Sequence, residues 1–191
     1  MEAVLDIPFA REAIVLFSGG IDSTACICLL RKQGFLVRGL FVDYSQAAAH
    51  HEAEAVLAIS RSLSIPVSSL RLEGLQPSNT GELPGRNSLL ISAALFDSRG
   101  RNCIIATGIH SGTRYYDCSE PYLRAMDTLV SAQTDGRVSL LSPFATWTKR
   151  DIFDYAIKER ISLDSTYSCE AGTTPPCGLC SSCQDREGLR C

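Results

Sequence analysis

Residues 13–32, AIVLFSGGIDSTACICLLRK, carry the pattern that decides the fold. Residues 14–17 form a short apolar run typical of a buried strand, and residues 22–32 repeat apolar side chains at helical spacing. The sequence SGG lies between these two patterns and predicts a tight turn. A glycine-rich turn that joins a strand to a helix is typical of α/β proteins that bind a ligand at this point.

The same alternation of strand and helix continues along the chain. The apolar patterns predict further strands at residues 37–43, 66–70, 103–107 and 138–141, and further helices at residues 48–63, 87–96, 120–132 and 148–159. Ser119 and Thr148 are the predicted N-caps of the last two helices. We therefore expect an α/β protein with a doubly wound, mostly parallel, Rossmann-like sheet, in which ligands bind at the carboxyl ends of the strands.

The composition is that of an ordinary globular protein, with 45% hydrophobic and 20% charged residues. The net charge of −3 argues against binding along extended nucleic acids. The start of the chain does not match a signal peptide, and no apolar run reaches the roughly 20 residues of a membrane span. We therefore expect a cytoplasmic protein without a membrane segment. In that reducing location, nine cysteines favour metal binding or reactive thiols over disulfides.

The turn after the first strand has the chemistry of an anion site. Its residues are Ser18, Gly19, Gly20, Asp22, Ser23 and Thr24. The glycines allow close approach of the backbone to a ligand, and the hydroxyl groups join the N–H groups at the start of a helix. The pattern is neither a Walker A loop nor a GxGxxG turn. We interpret it as a phosphate cradle, with a plain turn capped by Asp22 as the alternative.

The string SGGIDS resembles the PP-loop of the ATP pyrophosphatase superfamily, whose members cleave ATP between its α and β phosphates and adenylylate an oxygen nucleophile. The resemblance implies that the turn holds pyrophosphate and its Mg²⁺, and that the ends of later strands border the adenosine. The residues implied to bind ATP are Phe17, Ser18, Gly19, Gly20, Asp22, Ser23, Thr24, Asp43, Tyr44, Thr107 and Gly108.

A longer series of motifs makes the resemblance more specific. In chain order they are FVDYSQ (41–46), HHEAE (50–54), LPGRN (83–87), YYDC (115–118), TKRDI (148–152) and TYSCEAGTTPPCGLCSSCQDR (166–186). Together they resemble the 7-cyano-7-deazaguanine synthase family. That family converts the carboxylate of 7-carboxy-7-deazaguanine into an amide and then a nitrile, using ammonia and two ATP and releasing AMP and pyrophosphate. The resemblance also implies a homodimer.

The resemblance further implies a substrate pocket and a catalytic set. The pocket would comprise Arg86, Asn87, Tyr116, Asp117 and Cys118. The catalytic set would comprise Ser18, Asp22, Ser23, Arg86 and Lys149. Four of these assignments have open alternatives: Arg86 as an exposed loop residue, Asp117 as a helix cap, Cys118 as a packing residue and Lys149 as a solvated side chain.

The chain departs from the family pattern in three places. The segment before LPGRN is short, Tyr116 stands where proline is usual, and the sequence ends at Cys191, soon after the last motif. These differences predict a more open pocket that would admit a bulkier amine than ammonia. The alternative function is therefore conjugation of the activated carboxylate to an amine on a protein partner or a nucleic acid, as in an antiphage defence system. A non-catalytic nucleotide-binding module and a tRNA thiolase are further alternatives.

Four cysteines near the C-terminus have the spacing of a tetrahedral metal site. Cys169 precedes two consecutive C-x₂-C steps formed by Cys177, Cys180 and Cys183. The spacing predicts structural Zn²⁺, with an Fe–S cluster as the alternative, because four thiolates leave no open coordination position. Such a site would pin the C-terminal segment against the sheet as one wall of the pocket. We thus divide the chain into an ATP-binding α/β domain, 1–160, and a zinc-binding segment, 161–191.

Overall fold

A parallel sheet of five strands organises the part of the chain that the structure, a computed structural model, describes: residues 12–74, 83–113 and 115–189. The strands are β1 (Glu12–Leu16), β2 (Leu36–Asp43), β3 (Val67–Arg71), β4 (Cys103–Ala106) and β5 (Val138–Leu141). They lie in the order β3-β2-β1-β4-β5, and every neighbouring pair is parallel. The winding direction therefore reverses between β1 and β4.

Helices connect and cover these strands. Within the described residues they are α1 (Ile21–Lys32), α2 (Ala49–Leu63), α3 (Arg86–Ser98), α4 (Glu120–Ala132), α5 (Lys149–Lys158) and α6 (Ser181–Leu189). Every predicted strand and helix is present within two residues of its predicted bounds, and the predicted fold class is confirmed. The sequence patterns did not predict α6. None of the described helices has both the length and the apolar character that a membrane span requires.

The central strands are covered on both faces of the sheet. In β4, Ile105 packs into the core formed with α3 and α4, whereas Ile104 packs into the core formed with α1, α2 and α5. Both side chains are fully buried. Because neighbouring residues of such a strand are buried on opposite faces, the strand is a continuous apolar run, and this is why CIIAT predicted a buried strand.

The helices differ in how their first N–H groups are satisfied. The hydroxyl oxygen of Ser119 accepts a hydrogen bond from the N–H of Tyr122 at 3.3 Å, which confirms the predicted cap of α4. Thr148 and Asp151 form a reciprocal capping box at the start of α5, as predicted. In contrast, the N-cap residues of α1, α2 and α3, which are Gly20, Ala48 and Gly85, make no side-chain capping hydrogen bond. The first N–H groups of these three helices have no intrahelical acceptor and lie near the carboxyl edge of the sheet.

Replacing Ile104 with alanine is expected to destabilise the fold strongly, because truncation leaves a cavity in a layer with no room to relax. We expect the free energy of unfolding, measured by urea denaturation, to fall by about 2–5 kcal/mol. The matched control is Ile157→Ala on α5, whose residue is 52% exposed. A fall for Ile104→Ala no larger than that for the control would contradict the burial of this side chain.

Candidate active site and cysteine cluster

A cavity of about 380 Å³ opens at the carboxyl edge of the sheet, where β1, β2 and β4 end. The strand order reverses at this edge, and parallel α/β sheets bind ligands at such a point. Its walls come from the SGG turn, the loop after β2, the start of α3, the loop after β4 and the C-terminal segment. The cavity therefore joins motifs that are far apart in the sequence.

The SGG turn packs closely against α2 because residue 19 has no side chain. Gly19 has φ +75°, and a Cβ there would lie 2.8 Å from the Cβ of Ala55 and 3.0 Å from the backbone nitrogen of Val56. Both the backbone conformation and the close contact therefore require glycine. The turn is fixed on the helix that follows the second strand, and this contact sets its position at the cavity.

The start of α1 has the features of an anion site. Gly20 is the N-cap and makes no side-chain capping hydrogen bond, and the first N–H groups of a helix have no intrahelical acceptor. The hydroxyls of Ser23 and Thr24 are buried and donate to the Gly20 carbonyl oxygen at 3.1 and 2.8 Å. Ser18 is exposed and lines the cavity. Unpaired N–H groups and the helix dipole favour a negatively charged ligand at this end of the helix.

Asp22 and Lys149 form an ion pair beside the turn. The Nζ of Lys149 donates to the two carboxylate oxygens of Asp22 at 2.7 and 2.5 Å, and the side chains are 27% and 28% exposed. The alternative of a solvated lysine is therefore wrong, as is the alternative that Asp22 caps α1. The pair joins the first turn of α1 to the start of α5 and brings a positive charge next to the anion site.

Polar side chains after β2 are joined by hydrogen bonds at the cavity. The N–H of Tyr44 donates to Oε1 of Gln46 at 2.8 Å, and Nε2 of Gln46 donates to Oε2 of Glu52 at 2.7 Å. Burial raises the pKa of the Glu52 carboxyl above its ordinary value, although the hydrogen bond from Gln46 and the charge of Arg86 lower it in part. The first turn of α2 therefore presents a carboxyl group with increased proton affinity to the cavity.

Arg86 and Asn87 form the first turn of α3, and both line the cavity. Arg86 is half-buried and hydrogen-bonds the side chain of Tyr44, so its alternative as an exposed loop residue is wrong. The Nδ2 of Asn87 donates to the backbone carbonyl of Asp117 at 3.0 Å and lies 3.6 Å from Sγ of Cys118. Asn87 therefore ties the start of α3 to the YYDC turn.

Asp117 and Tyr116 lie away from the cavity lining, whereas Cys118 belongs to it. The Oδ2 of Asp117 accepts a hydrogen bond from the N–H of Asn87 at 3.4 Å, and the cap of α4 is Ser119. The alternative of Asp117 as a helix cap is therefore wrong. Tyr116 is 70% exposed, and its ring packs edge-on against a tyrosine of α4.

Most residues predicted to bind ATP or substrate line this cavity. Those that do are Phe17, Ser18, Gly20, Asp22, Ser23, Tyr44, Arg86, Asn87, Thr107, Gly108, Cys118 and Lys149. Those that do not are Gly19, Thr24, Asp43, Tyr116 and Asp117. Gly19 and Thr24 support the turn instead, and Oδ1 of Asp43 accepts a hydrogen bond from the N–H of Ser45 at 3.0 Å. The role of each residue in binding stays a prediction.

The four predicted metal ligands meet in the C-terminal segment. The Sγ atoms of Cys169, Cys177, Cys180 and Cys183 all lie within 4.8 Å of one another. The N–H groups of Leu179 and Cys180 donate to Sγ of Cys177 at 3.5 and 3.4 Å, as expected of a C-x₂-C knuckle. Sγ of Cys177 and Sγ of Cys183 are 4.0 Å apart, close to the separation of about 3.8 Å that tetrahedral Zn–S bonds of about 2.3 Å impose.

Hydrogen bonds also favour the thiolate form of Cys169. Burial would raise the pKa of this thiol, but hydrogen bonds from Cys177 and Thr173 outweigh it and lower the pKa. The backbone N–H of Cys177 lies 3.3 Å from the Cys169 sulfur. Since the thiolate is the form that binds metal, these hydrogen bonds suit Cys169 to metal binding.

The C-terminal segment docks on the SGG turn and on α2. The N–H of Tyr167 donates to the Gly19 carbonyl at 3.1 Å, and the Tyr167 ring stacks on His51 with centroids 5.0 Å apart. Gly172 has φ +65°, and a Cβ there would lie 2.1 Å from the carbonyl oxygen of Ala47. The segment lines the cavity from residue 167 to residue 189, so the predicted wall is confirmed.

Several cavity residues were missed by sequence reasoning. Gln46 and Glu52 lie inside the quoted stretches FVDYSQ and HHEAE, so their place in a motif was a signal that could have found them. A second group comes from the C-terminal segment: Tyr167, Ser168, Glu170, Ser181, Ser182, Asp185, Arg186 and Leu189. All but Leu189 lie inside the quoted stretch 166–186, but the cysteine cluster and the docked turn determine which of its side chains reach the cavity.

The fold and the site define an α/β protein of the PP-loop type. A solved U34-tRNA thiolase, NcsA from Methanococcus maripaludis with its [4Fe-4S] cluster, matches with a TM-score of 0.58 and 12% identity, over 97% of this chain and 66% of the thiolase. A predicted subunit of tRNA methyltransferase from Methanocaldococcus jannaschii matches with a TM-score of 0.52 and 15% identity, over 77% of this chain and 76% of that subunit. At these identities the likeness concerns the fold.

The sequence comparisons are more specific. The family described as queuosine biosynthesis protein QueC matches residues 12–80 and 76–189. The 7-cyano-7-deazaguanine synthase of Synechococcus sp. (strain CC9605) is 32% identical over 209 residues, covering 93% of this chain and 91% of the relative. The 7-cyano-7-deazaguanine synthase 1 of Desulfitobacterium hafniense (strain Y51) is 32% identical over 200 residues, covering 93% and 90%. The chain therefore belongs to the QueC family.

Replacing Gly19 with alanine is expected to displace the SGG turn and weaken ATP binding about 10-fold or more, since the new Cβ clashes with α2. Isothermal titration with Mg-ATP measures the affinity. Gly34→Ala is the matched control, because Gly34 also has a positive φ, +89°, but a Cβ there meets no atom within 4 Å. Equal losses of affinity in the two variants would show that backbone strain, rather than the contact of the turn with α2, is responsible.

Proposed function

We propose that the protein activates the carboxylate of 7-carboxy-7-deazaguanine with ATP and passes the activated acyl group to ammonia. The first product is the amide, and a second activation gives 7-cyano-7-deazaguanine. The observation that carries the proposal is that the SGG turn, Arg86 and Asn87 line one cavity in a chain of the QueC family. The synthase names of the relatives point to the same reaction.

The reaction needs activation because a carboxylate would have to expel oxide to react with an amine. In the first step a carboxylate oxygen attacks the α-phosphorus of ATP, and pyrophosphate leaves. Ammonia then forms a bond to the carbonyl carbon, and AMP leaves with the electrons of the C–O bond. In the second round the amide oxygen is adenylylated, and loss of AMP and protons gives the nitrile. Protein catalysis of these steps rests on positioning and charge stabilisation.

The cavity offers the charges that these steps need. The first N–H groups of α1 would hold the pyrophosphate group, with the exposed Ser18 as a further donor, and Lys149 adds a positive charge beside them. Asp22 supplies carboxylate oxygens of the kind that Mg²⁺ prefers, and Mg²⁺ when bound would neutralise phosphate charge. The guanidinium of Arg86 is suited to grip the substrate carboxylate or the α-phosphate through paired hydrogen bonds.

For the cysteine cluster we propose structural zinc. Four sulfur atoms within 4.8 Å of one another, with N–H groups donating to two of them, match the ligand set that zinc prefers. Since four thiolates fill the coordination shell, the metal would have no position left for substrate. Its contribution is to hold the segment that supplies the wall of the cavity.

A second candidate function is conjugation of the activated carboxylate to an amine on a protein or a nucleic acid. Tyr115 lines the cavity and is 38% exposed, and the neighbouring Tyr116 is 70% exposed. Exposed aromatic side chains beside a cavity favour contact with a large partner. Under this function the amide is the final product.

The proposed function predicts a product series when purified protein is mixed with Mg-ATP, 7-carboxy-7-deazaguanine and ammonium. We expect AMP, pyrophosphate, the amide and then the nitrile, and mass spectrometry measures each of them. Asp22→Asn and Lys149→Met are expected to slow pyrophosphate release about 100-fold, because the charges beside the phosphates are lost. Lys32→Met is the matched control, since Lys32 pairs with Glu159 on the surface at 2.7 Å.

Three other outcomes of this assay are decisive. Amide without nitrile, or product only after a protein or nucleic-acid amine is added, would replace the proposed function by the second candidate. Acid-independent ATP turnover, or no turnover at all, would contradict both functions. A loss in Lys32→Met equal to that in Lys149→Met would remove the argument from local charge.

The zinc proposal predicts about one zinc per chain by elemental analysis when the protein is purified without chelator. Cys183→Ser is expected to lose the metal and to lower the melting temperature by about 5 °C or more. The control is Cys28→Ser, which changes a cysteine of α1 outside the cluster. Visible absorption from iron–sulfur charge transfer, or metal-free protein with an unchanged melting temperature, would contradict the assignment.

A further inference from the structure

Four acidic residues line the cavity, and three of them are already engaged or solvated. Asp22 is paired with Lys149. Oε1 of Glu170 accepts hydrogen bonds from the hydroxyls of two serines at the start of α6, at 2.8 and 2.7 Å. Asp185 is exposed on α6. The fourth residue, Glu52, is the carboxyl group left for chemistry inside the cavity.

Glu52 is half-buried, and among the described residues it accepts one side-chain hydrogen bond, from Gln46 to Oε2. This contact holds one oxygen of a residue that lines the cavity, and within the described residues no hydrogen bond is seen to Oε1. A carboxylate held by one oxygen is oriented, and its second oxygen is available to accept a proton. The raised pKa of Glu52, caused by burial, makes it a stronger base than an exposed carboxylate.

The position of Glu52 is adjacent to both groups that the reaction would bring together. Its backbone carbonyl lies 3.1 Å from the point where a Cβ of Gly19 would stand, so it borders the SGG turn. Arg86, the residue suited to the substrate carboxylate, lines the same cavity, and its charge lowers the pKa of the Glu52 carboxyl in part. The acyl-adenylate would form between these two groups.

We propose that Glu52 is the general base that takes the proton from the amine as it attacks the activated carboxylate. The inference rests on the proposed function and adds a catalytic residue to it. It applies equally to ammonia and to a macromolecular amine, because both lose a proton on attack. No residue named so far as catalytic supplies this step, since Lys149 is cationic and Asp22 is neutralised by it.

The proton transfers balance as follows. When ammonia attacks the acyl-adenylate, the C–N bond forms, the C–O bond to AMP breaks, and one proton passes from nitrogen to Glu52. When the adenylylated amide collapses to the nitrile, the C–O bond breaks again and the nitrogen loses its two remaining protons. Each proton leaves Glu52 for solvent through the mouth of the cavity, so the carboxylate is restored before the next transfer.

A purely structural role is the competing explanation, because the hydrogen bond from Gln46 to Glu52 also holds the loop after β2. Glu52→Gln separates the two roles. The amide oxygen of glutamine can still accept from Gln46 with nearly the same shape, whereas the side chain no longer takes up a proton. A structural role therefore predicts little change, and a general base predicts a selective defect.

The test measures two steps in wild type, Glu52→Gln and the control Glu54→Gln, whose residue lies on the same helix with a side chain 62% exposed. Acid-dependent exchange of pyrophosphate into ATP reports adenylylation, and mass spectrometry of the amide reports amine attack. For Glu52→Gln we expect near-normal exchange and amide formation slowed about 100-fold or more at neutral pH. Hydroxylamine, which is unprotonated at neutral pH, is expected to restore much of the rate of amine attack in Glu52→Gln when it replaces ammonia.

The outcomes separate this inference from the proposed function. Exchange in wild type with unchanged amide formation in Glu52→Gln would overturn the role of Glu52 and leave the proposed function intact. Equal loss of both steps in Glu52→Gln would also overturn it, because Glu52 would then serve adenylylation or folding. Absence of acid-dependent exchange in wild type would refute the proposed function itself, and this inference with it.

Discussion

The hydrogen bond from the N–H of Tyr167 to the carbonyl of Gly19, 3.1 Å long, joins the two motifs that define this protein. Gly19 is one of two adjacent glycines, and such a turn loses much conformational entropy when it is fixed. It is held on one side by α2, against Ala55, and on the other by the C-terminal segment. The anion site at the start of α1 is therefore preorganised only while that segment is docked.

The docked segment has little apolar surface with which to hold itself in place. Between residues 166 and 189 only Thr166, Cys169 and Cys183 are buried, and Leu179 is 82% exposed. A segment of this kind cannot offset its ordering entropy through hydrophobic burial. Metal–thiolate bonds can supply that free energy in small elements, so the cysteine cluster and the glycine turn depend on each other. The metal would then influence nucleotide binding without contacting the nucleotide.

The central α/β core was predictable because its signals are local. The run CIIAT is apolar throughout since β4 is covered on both faces, and the caps of α4 and α5 are set by residues within one helical turn. The sequence SSCQDREGL of α6 has no such signal. Helix α6 has few apolar residues, and Glu170 from the preceding loop accepts hydrogen bonds from the two serine hydroxyls at its start. The position of α6 therefore depends on the cysteine cluster.

The candidate site was predictable only where one motif supplies the whole feature. The SGG turn and the four cysteines are of this kind. Asn87 and Asp117 hydrogen-bond each other although they are 30 residues apart in the chain. Local sequence therefore could not decide between a pocket role and a cap for Asp117. Glu52 was missed for a related reason. Its hydrogen bond with Gln46 is local, but its place in one cavity with Arg86 arises only when α2 and the start of α3 come together in the fold.

Local arrangement, not net charge, makes the cavity suitable for anions in a chain of net charge −3. Side chains accept from N–H groups at the starts of α3, α4 and α5, in α3 through Asp117, whereas the N-cap of α1 at the cavity is a glycine. Lys149 and Arg86 add their charges at α1 and α3. A phosphate group would have the helix start of α1 and the charge of Lys149, and a carboxylate would have the guanidinium of Arg86. This separation would place two anionic reactants side by side and, under the proposed role of Glu52, keep a base within reach of the bond that forms between carbon and nitrogen.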